Sequence, residues 1–260
     1  MLLQGKTVVV SGVGAGLGHQ IAATVVRDGG NAVLGARTGA NLVKTAAEID
    51  PGGTRTALLP TDITDQAQCE ALAALAVERF GGIDAVVHVA AWDSYFGGLE
   101  DADFDTWKGV LDVNLLGTLR MTRACLPALK ERGGSVVVIG TQSAIAAPSQ
   151  VRQAAYAASK GALTSAAYSL ARELGPHRVR VNTVLPGWMW GPPVQAYVQF
   201  TAHTEQVAEE EVLRRLTERM ALPELATDGD VADAVAFLAS DRARAITGQQ
   251  LLVNAGEIMR

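Results

Sequence analysis

Short apolar runs with the length of β-strands alternate with helix-patterned segments along the whole chain, and no other feature restricts its fold as strongly. The runs fall at 6–11, 31–36, 56–60, 84–90, 135–141, 178–185 and 250–254. Helical patterns lie between them, at 16–28, 40–49, 65–80, 103–131, 154–174 and 228–239. Several runs, such as Val8-Val9-Val10 and Val136-Val137-Val138-Ile139, have no polar interruption, which suits strands covered on both faces. Strand and helix in strict succession imply a parallel sheet with helices on both sides. The expected fold is α/β, a doubly wound, Rossmann-like three-layer domain with a seven-stranded parallel sheet. With no linker or repeat in the 260 residues, the expectation is a single domain spanning 1–260.

The turn after the first run reads Ser11-Gly12-Val13-Gly14-Ala15-Gly16-Leu17-Gly18, and a helical pattern begins inside it. Glycine lets the backbone turn tightly and approach a ligand, while a helix N-terminus offers free N–H groups and the positive end of a dipole. Between strand one and helix one this is the context of a pyrophosphate site, so Gly12, Gly14, Ala15, Gly16, Leu17 and Gly18 are candidate cofactor residues. The second run ends Leu34-Gly35-Ala36-Arg37. An acid there would bind a ribose 2′-hydroxyl, whereas Arg37 suits a 2′-phosphate, so NADP is favoured and NAD is the alternative. Asp62 and Ile63, after the third run, fall where an adenine would lie.

Gln153-Ala154-Ala155-Tyr156-Ala157-Ala158-Ser159-Lys160 reads as helix, and the spacing of four puts Tyr156 and Lys160 on one face. A tyrosine hydroxyl is a poor acid or base at neutral pH, and a nearby ammonium would favour its phenolate. Such a pair could carry a proton to or from an alcohol or carbonyl oxygen.

These segments together resemble the short-chain dehydrogenase/reductase family in its single-domain branch. The glycine loop matches, with Ser11 where Thr is usual. Asn114 in Asp112-Val113-Asn114-Leu115 matches the family's helix Asn, and Ser143 stands thirteen residues before Tyr156, at the family's Ser–Tyr spacing. Tyr156-x-x-x-Lys160, Pro186-Gly187 and Thr247-Gly248 through Ala255-Gly256 follow in order. One departure is His88-Val89-Ala90-Ala91, where Asn-Asn-Ala-Gly is usual; His88 is expected to supply part of the missing brace. The resemblance implies hydride transfer between a nicotinamide and a carbonyl or alcohol carbon. It makes Tyr156 the acid/base and has Lys160 lower the Tyr156 pKa and hold the ribose. Ser143 would hydrogen-bond the substrate oxygen, with Thr141 and Ser149 as rivals, and Asn114 would hold a relay water. Ala90, Pro186 and Gly187 would lie beside the cofactor.

The uncharged stretch from Gly187 through Trp188, Trp190 and Tyr197 is expected to be a loop-like lid, at about 187–225. With Trp92 it should line an apolar pocket for a small, hydrophobic carbonyl or alcohol. A dinucleotide-binding sensor without chemistry is the alternative from another class, and an epimerase or dehydratase on a related fold is a second enzymatic one. The net charge of −5 argues against a nucleic-acid or anionic-membrane partner. Cys69 and Cys125 make no metal-ligand pattern, so no metal is expected and a reducing, cytoplasmic setting is. The start of the chain lacks the long apolar run of a signal peptide. A stripe of Ala155, Ala158, Ala162 and Ala166 could admit another helix or pack only on its own sheet. The family resemblance implies pairing of the helices at 103–131 and 154–174 across a two-fold axis and, with apolar Ile258 and Met259 past the last strand, a homotetramer.

Overall fold

Seven parallel strands form the central sheet of the protein, whose computed structural model describes residues 1–147 and 151–260. Chain order gives β1 (Thr7–Ser11), α1 (Leu17–Arg27), β2 (Asn31–Ala36), α2 (Gly39–Ile49), β3 (Thr56–Pro60), α3 (Gln66–Phe80) and β4 (Ala85–His88). There follow α4 (Phe104–Leu111), a π-helical stretch (Asp112–Gly117), α5 (Thr118–Arg132), β5 (Gly134–Ile139), α6 (Ala154–Leu174) and β6 (Val179–Pro186). The last third holds β7 (Met189–Trp190), α7 (Pro192–Glu205), α8 (Glu209–Thr217), β8 (Ala226–Thr227), α9 (Asp228–Ala239) and β9 (Gln250–Val253).

Strand order in the sheet is β3-β2-β1-β4-β5-β6-β9. The chain winds outward in one direction from β1 and in the other from β4, so a crevice opens between their carboxyl ends. The two-residue alternation of a strand sorts the side chains. Val8 and Val10 join the core shared with α1 and α9, while Val9 joins the core shared with α3, α5 and α6. The expected doubly wound fold is therefore the observed one, with every expected strand present within a few residues.

Two segments differ from expectation. The expected helix at 103–131 is interrupted, because residues 112–117 widen into a π-helix around Asn114. The expected loop after β6 is helical. Pro192 and Pro193 sit in the first turn of α7, where a missing N–H costs nothing and a fixed φ helps. With α8 this helix builds a small core of its own around Val198, Ala202, Val212, Leu216 and Leu225. No helix among the described residues is long and apolar enough to cross a membrane.

Candidate active site

Backbone crowding explains the first glycines. Gly12 has φ +103°, and a Cβ there would lie 2.1 Å from the backbone nitrogen of Ala90. A Cβ on Gly18 would lie 2.3 Å from the Gly12 oxygen, so helix α1 starts hard against the loop. Around Gly14 there is open space. The loop thus presents bare backbone at the crevice, and the Leu17 side chain packs into the core behind it. A cleft of about 590 Å³ runs from Gly12, Val13 and Gly14 past Arg37 and Asp62 to Ala90, Trp92 and Asp93. Thr38 and Asn41, not anticipated from sequence, line it beside Arg37. Asp62 is fixed by the N–H and hydroxyl of Thr64, at 2.9 and 2.8 Å, and those bonds hold its carboxyl below the usual range. Ile63 is buried at the cleft wall. A dinucleotide fits this site: a glycine turn at a helix N-terminus, an exposed cation and a crevice at the point where the strand order reverses.

Past the end of β4, the chain is clamped by Asn114. This buried amide accepts the Trp92 N–H at 2.7 Å and donates to the Trp92 carbonyl at 3.1 Å and to Ser159 Oγ at 2.9 Å. Its own backbone carbonyl accepts from Thr118 Oγ1. Every polar group of the side chain is used, so Asn114 ties the Trp92 loop to α6 in addition to any water it would hold. Gln153 donates to the Asp93 carbonyl and brings that loop onto the N-terminus of α6, one turn from Tyr156.

Tyr156 and Lys160 do share a face of α6, with the Lys160 Nζ 5.9 Å from the centre of the tyrosine ring. Lys160 is fully buried and donates to the Ile139 carbonyl at 2.7 Å. Burial brings its ammonium down to about 8, against an opposite pull from Asp93. The expectation that Lys160 lowers the Tyr156 pKa is not what this arrangement gives. Burial pushes the phenol well above its ordinary value, Asp93 pushes it the same way, and a Thr141 hydrogen bond opposes them. An ammonium that spends its bond on a carbonyl has less effect on the ring than loss of water does.

Thr141 is buried at the head of the turn Gln142–Ala144, where its Oγ1 accepts the Ser143 N–H at 3.2 Å. It therefore caps the turn that carries Ser143, which is half-buried. The rival Ser149 lies outside the described residues. His88 is buried and braces β4 to α5 as expected, through a 2.8 Å bond to Thr122 Oγ1. The same hydroxyl also bonds the Thr118 carbonyl at 2.9 Å. Burial and then Lys160 hold the ring neutral, down to about 3.

Pro186 is buried at the end of β6, and Gly187 is pressed against the chain beyond β9, since a Cβ there would meet the Asn254 Cβ at 2.7 Å. The Trp188 and Tyr197 rings meet at a tilt of 42° with centroids 5.1 Å apart and pack against the small core of α7 and α8, while Trp190 is partly exposed on β7. Trp188 and Tyr197 thus hold the segment expected to be a lid together. Among the described residues no group of His, Cys, Asp or Glu is placed to hold a metal.

Crevice, glycine turn and the Asn114–Tyr156–Lys160 cluster together define a dinucleotide-dependent oxidoreductase, and comparison with known proteins agrees. A family model described as Enoyl-(Acyl carrier protein) reductase matches residues 12–257. The chain is 33% identical to L-rhamnose 1-dehydrogenase (NAD(P)(+)) of Azotobacter vinelandii, over 98% of each chain. It is 32% identical to dehydrogenase/reductase SDR family member 4 of Sus scrofa, over 99% of this chain and 89% of the relative. Among solved structures, a variant of actinorhodin polyketide ketoreductase with NADPH superposes with a TM-score of 0.87 at 29% identity, covering 97% of each chain. The protein belongs to the short-chain dehydrogenase/reductase family and is an NAD(P)-dependent enzyme of that family.

Proposed function

We propose that the protein reduces the carbonyl group of a small, mainly hydrophobic substrate with NADPH, with Tyr156 as the proton donor. The observation that carries this reading is that Tyr156 and Lys160 share one face of α6, whose N-terminal Gln153 bonds the carbonyl of Asp93, a residue of the cleft wall. Bound NADPH would supply the hydride; Gly12 to Gly18, Arg37, Asp62, Ile63, Ala90, Pro186 and Gly187 would hold it. Tyr156 then delivers the proton. Its phenol is protonated at neutral pH, as a tyrosine ordinarily is and as burial further favours, so it starts as an acid, which is what reduction requires. Ser143, on its capped turn, donates a hydrogen bond to the substrate oxygen as charge develops there. Trp92 and Trp190 offer apolar surface to the substrate, and the segment at 187–225 serves as its lid. A panel of aldehydes and ketones incubated with NADPH tests the reading; consumption of NADPH with none of them would favour a sensor.

The cofactor preference rests on Arg37, which is exposed at the cleft, and on Ala36, which carries no acid. NADPH should bind more tightly than NADH in a fluorescence titration. Ala36→Asp should reverse the order, because a carboxylate at the end of β2 repels a 2′-phosphate and accepts a 2′-hydroxyl. Tighter binding of NADH by the wild type would mean that Arg37 serves another purpose.

The same reading includes a homotetramer in a reducing, cytoplasmic compartment. Support comes from the outer faces of the π-helical stretch and α6, where Leu116, Ala158, Ala162 and Tyr168 are exposed, whereas Leu163 and Ala167 are spent on the chain's own core. Ala155 is also buried there, so the small-residue stripe is shorter than expected. Leu251 on edge strand β9 and Met259 beyond it would form a second contact. Light scattering at micromolar concentration checks this: a tetramer mass is expected, a dimer removes one interface and a monomer removes both.

A further inference from the structure

The chain beyond β9 folds back onto the turn that carries Ser143, and the contact is built from buried polar groups. Gln142, the residue before Ser143, is buried with both ends of its amide engaged: its oxygen accepts from Asn254 Nδ2 at 3.0 Å, and its nitrogen donates to Glu257 Oε2. The other Glu257 oxygen meets Arg219 at 2.9 Å, and the Glu257 side chain is only 5% exposed. Arg219 lies just past α8, at the return of the lid. One carboxylate therefore touches both the catalytic turn and the lid. The backbone around it is arranged to the same end. Ala255 has φ +53°, an uncommon conformation for a residue with a side chain, and from it the Ala255 carbonyl accepts the N–H groups of both Ala221 and Leu222 at 3.0 Å. Asn254 anchors the arc by accepting the Gly256 N–H at 3.1 Å.

We propose that Glu257 is a positioning residue that couples seating of the lid to alignment of Ser143. A carboxylate out of water needs its partners, so if Arg219 moves away with an opening lid, Glu257 loses its counter-charge and its bond to Gln142 must readjust. Gln142 has no freedom to absorb that change alone, because Asn254 fixes its other end. Lid closure and the placing of the Ser143 hydroxyl then occur together. The part concerning Ser143 rests on the function proposed above; the coupling between lid and turn does not.

The test compares Glu257→Ala, Glu257→Gln, Arg219→Gln and the double variant Glu257→Gln/Arg219→Gln, by hydrogen exchange and by kinetics with NADPH and the best carbonyl compound of the panel. Glu257→Ala loses both contacts. It should speed amide exchange in the turn at 141–146 as well as at 219–222, leave exchange in β1 and β4 unchanged, and lower kcat by about tenfold or more with NADPH affinity kept. Glu257→Gln can still accept from Gln142 but lacks the charge for Arg219, so it and Arg219→Gln should chiefly raise KM, and the double variant should be no worse than either. If Glu257→Ala does not fold, the two Gln variants carry the test through the same exchange pattern at 219–222 and 141–146. Faster exchange confined to the chain beyond β9, with kcat and KM both near wild type, would overturn the proposal. Ser143→Ala separates the two readings: a full rate there refutes the role of Ser143, while linked exchange at 141–146 and 219–222 would still uphold the coupling.

Discussion

Tyr156→Phe should lower kcat by roughly 10²- to 10⁴-fold, the usual contribution of a positioned proton donor, while NADPH binding stays within about twofold of wild type. The change removes one oxygen and little volume, and the ring remains beside the Lys160 ammonium. Effects on folding should be small, so the loss reports chemistry. Steady-state kinetics together with a fluorescence titration of NADPH check it. A rate above about a tenth of wild type would mean that another group delivers the proton. Among nearby groups, Thr141 is the hydroxyl to examine next, since it acts on the phenol and caps the turn that carries Ser143.

Gly12→Ala is the second large effect. Its φ of +103° lies where side chains are strained, and the new Cβ would sit 2.1 Å from the Ala90 nitrogen and 2.5 Å from the Ala90 Cα. Neither is the movable end of a side chain. The Gly12 and Val13 N–H groups both bond the Gly35 carbonyl, and the Ala90 N–H bonds the Ser11 carbonyl, so relief of the clash has to separate the glycine turn from β2 or β4. Strain of this kind costs about 1–3 kcal/mol before any clash is counted. If the turn moves to relieve it, the same energy taken from cofactor binding corresponds to a loss of roughly 5- to 150-fold in NADPH affinity, along with a lower melting temperature. Gly14→Ala, at a position with open space, is the control and should preserve the melting temperature. Unchanged cofactor affinity in Gly12→Ala would show that the turn does not need the backbone path described for it.

How much of this could be read in the residues themselves differs by region, for physical reasons. Strands buried on both faces are continuous apolar runs, so β1, β2 and β3 were legible almost to the residue. Tyr156 and Lys160 were legible because helical spacing is local. The lid was not: glycines, prolines and aromatics between 187 and 197 resemble a loop, yet two prolines in a first turn are compatible with a helix. A signal was available further on, where Glu209-Glu210-Glu211 stands three to five residues before Arg214-Arg215, a pattern that α8 realises as ion pairs of Glu211 with both arginines. Long-range relations left no such trace. Nothing local announces that Asn114 will hold Trp92, that Asp93 will act on Tyr156 and Lys160, or that Gln142 will meet Glu257, because each pairing depends on how distant segments are stacked. The effect of burial on Tyr156 belongs to the same group. Spacing puts an ammonium near the phenol, but how far the ring is withdrawn from water, and that the ammonium bonds the Ile139 carbonyl, depend on packing.

The proposed preference for NADPH also draws support from the residues around Arg37. Arg37 acts on the Asp62 carboxylate, and Thr38 and Asn41 stand at the same end of the cleft. A 2′-phosphate there would find a cation and side-chain donors within one short segment, whereas a 2′-hydroxyl would find no carboxylate at Ala36.

The most direct measurement is the consumption of NADPH by the purified wild-type protein against a panel of small aldehydes and ketones, run beside Tyr156→Phe. Carbonyl reduction through Tyr156 predicts that at least one compound is reduced by the wild type, with one alcohol formed per NADPH oxidised, and that the variant binds NADPH equally well yet fails to turn the same compound over. Tight NADPH binding with no carbonyl reduced, or equal turnover by both proteins, would contradict it.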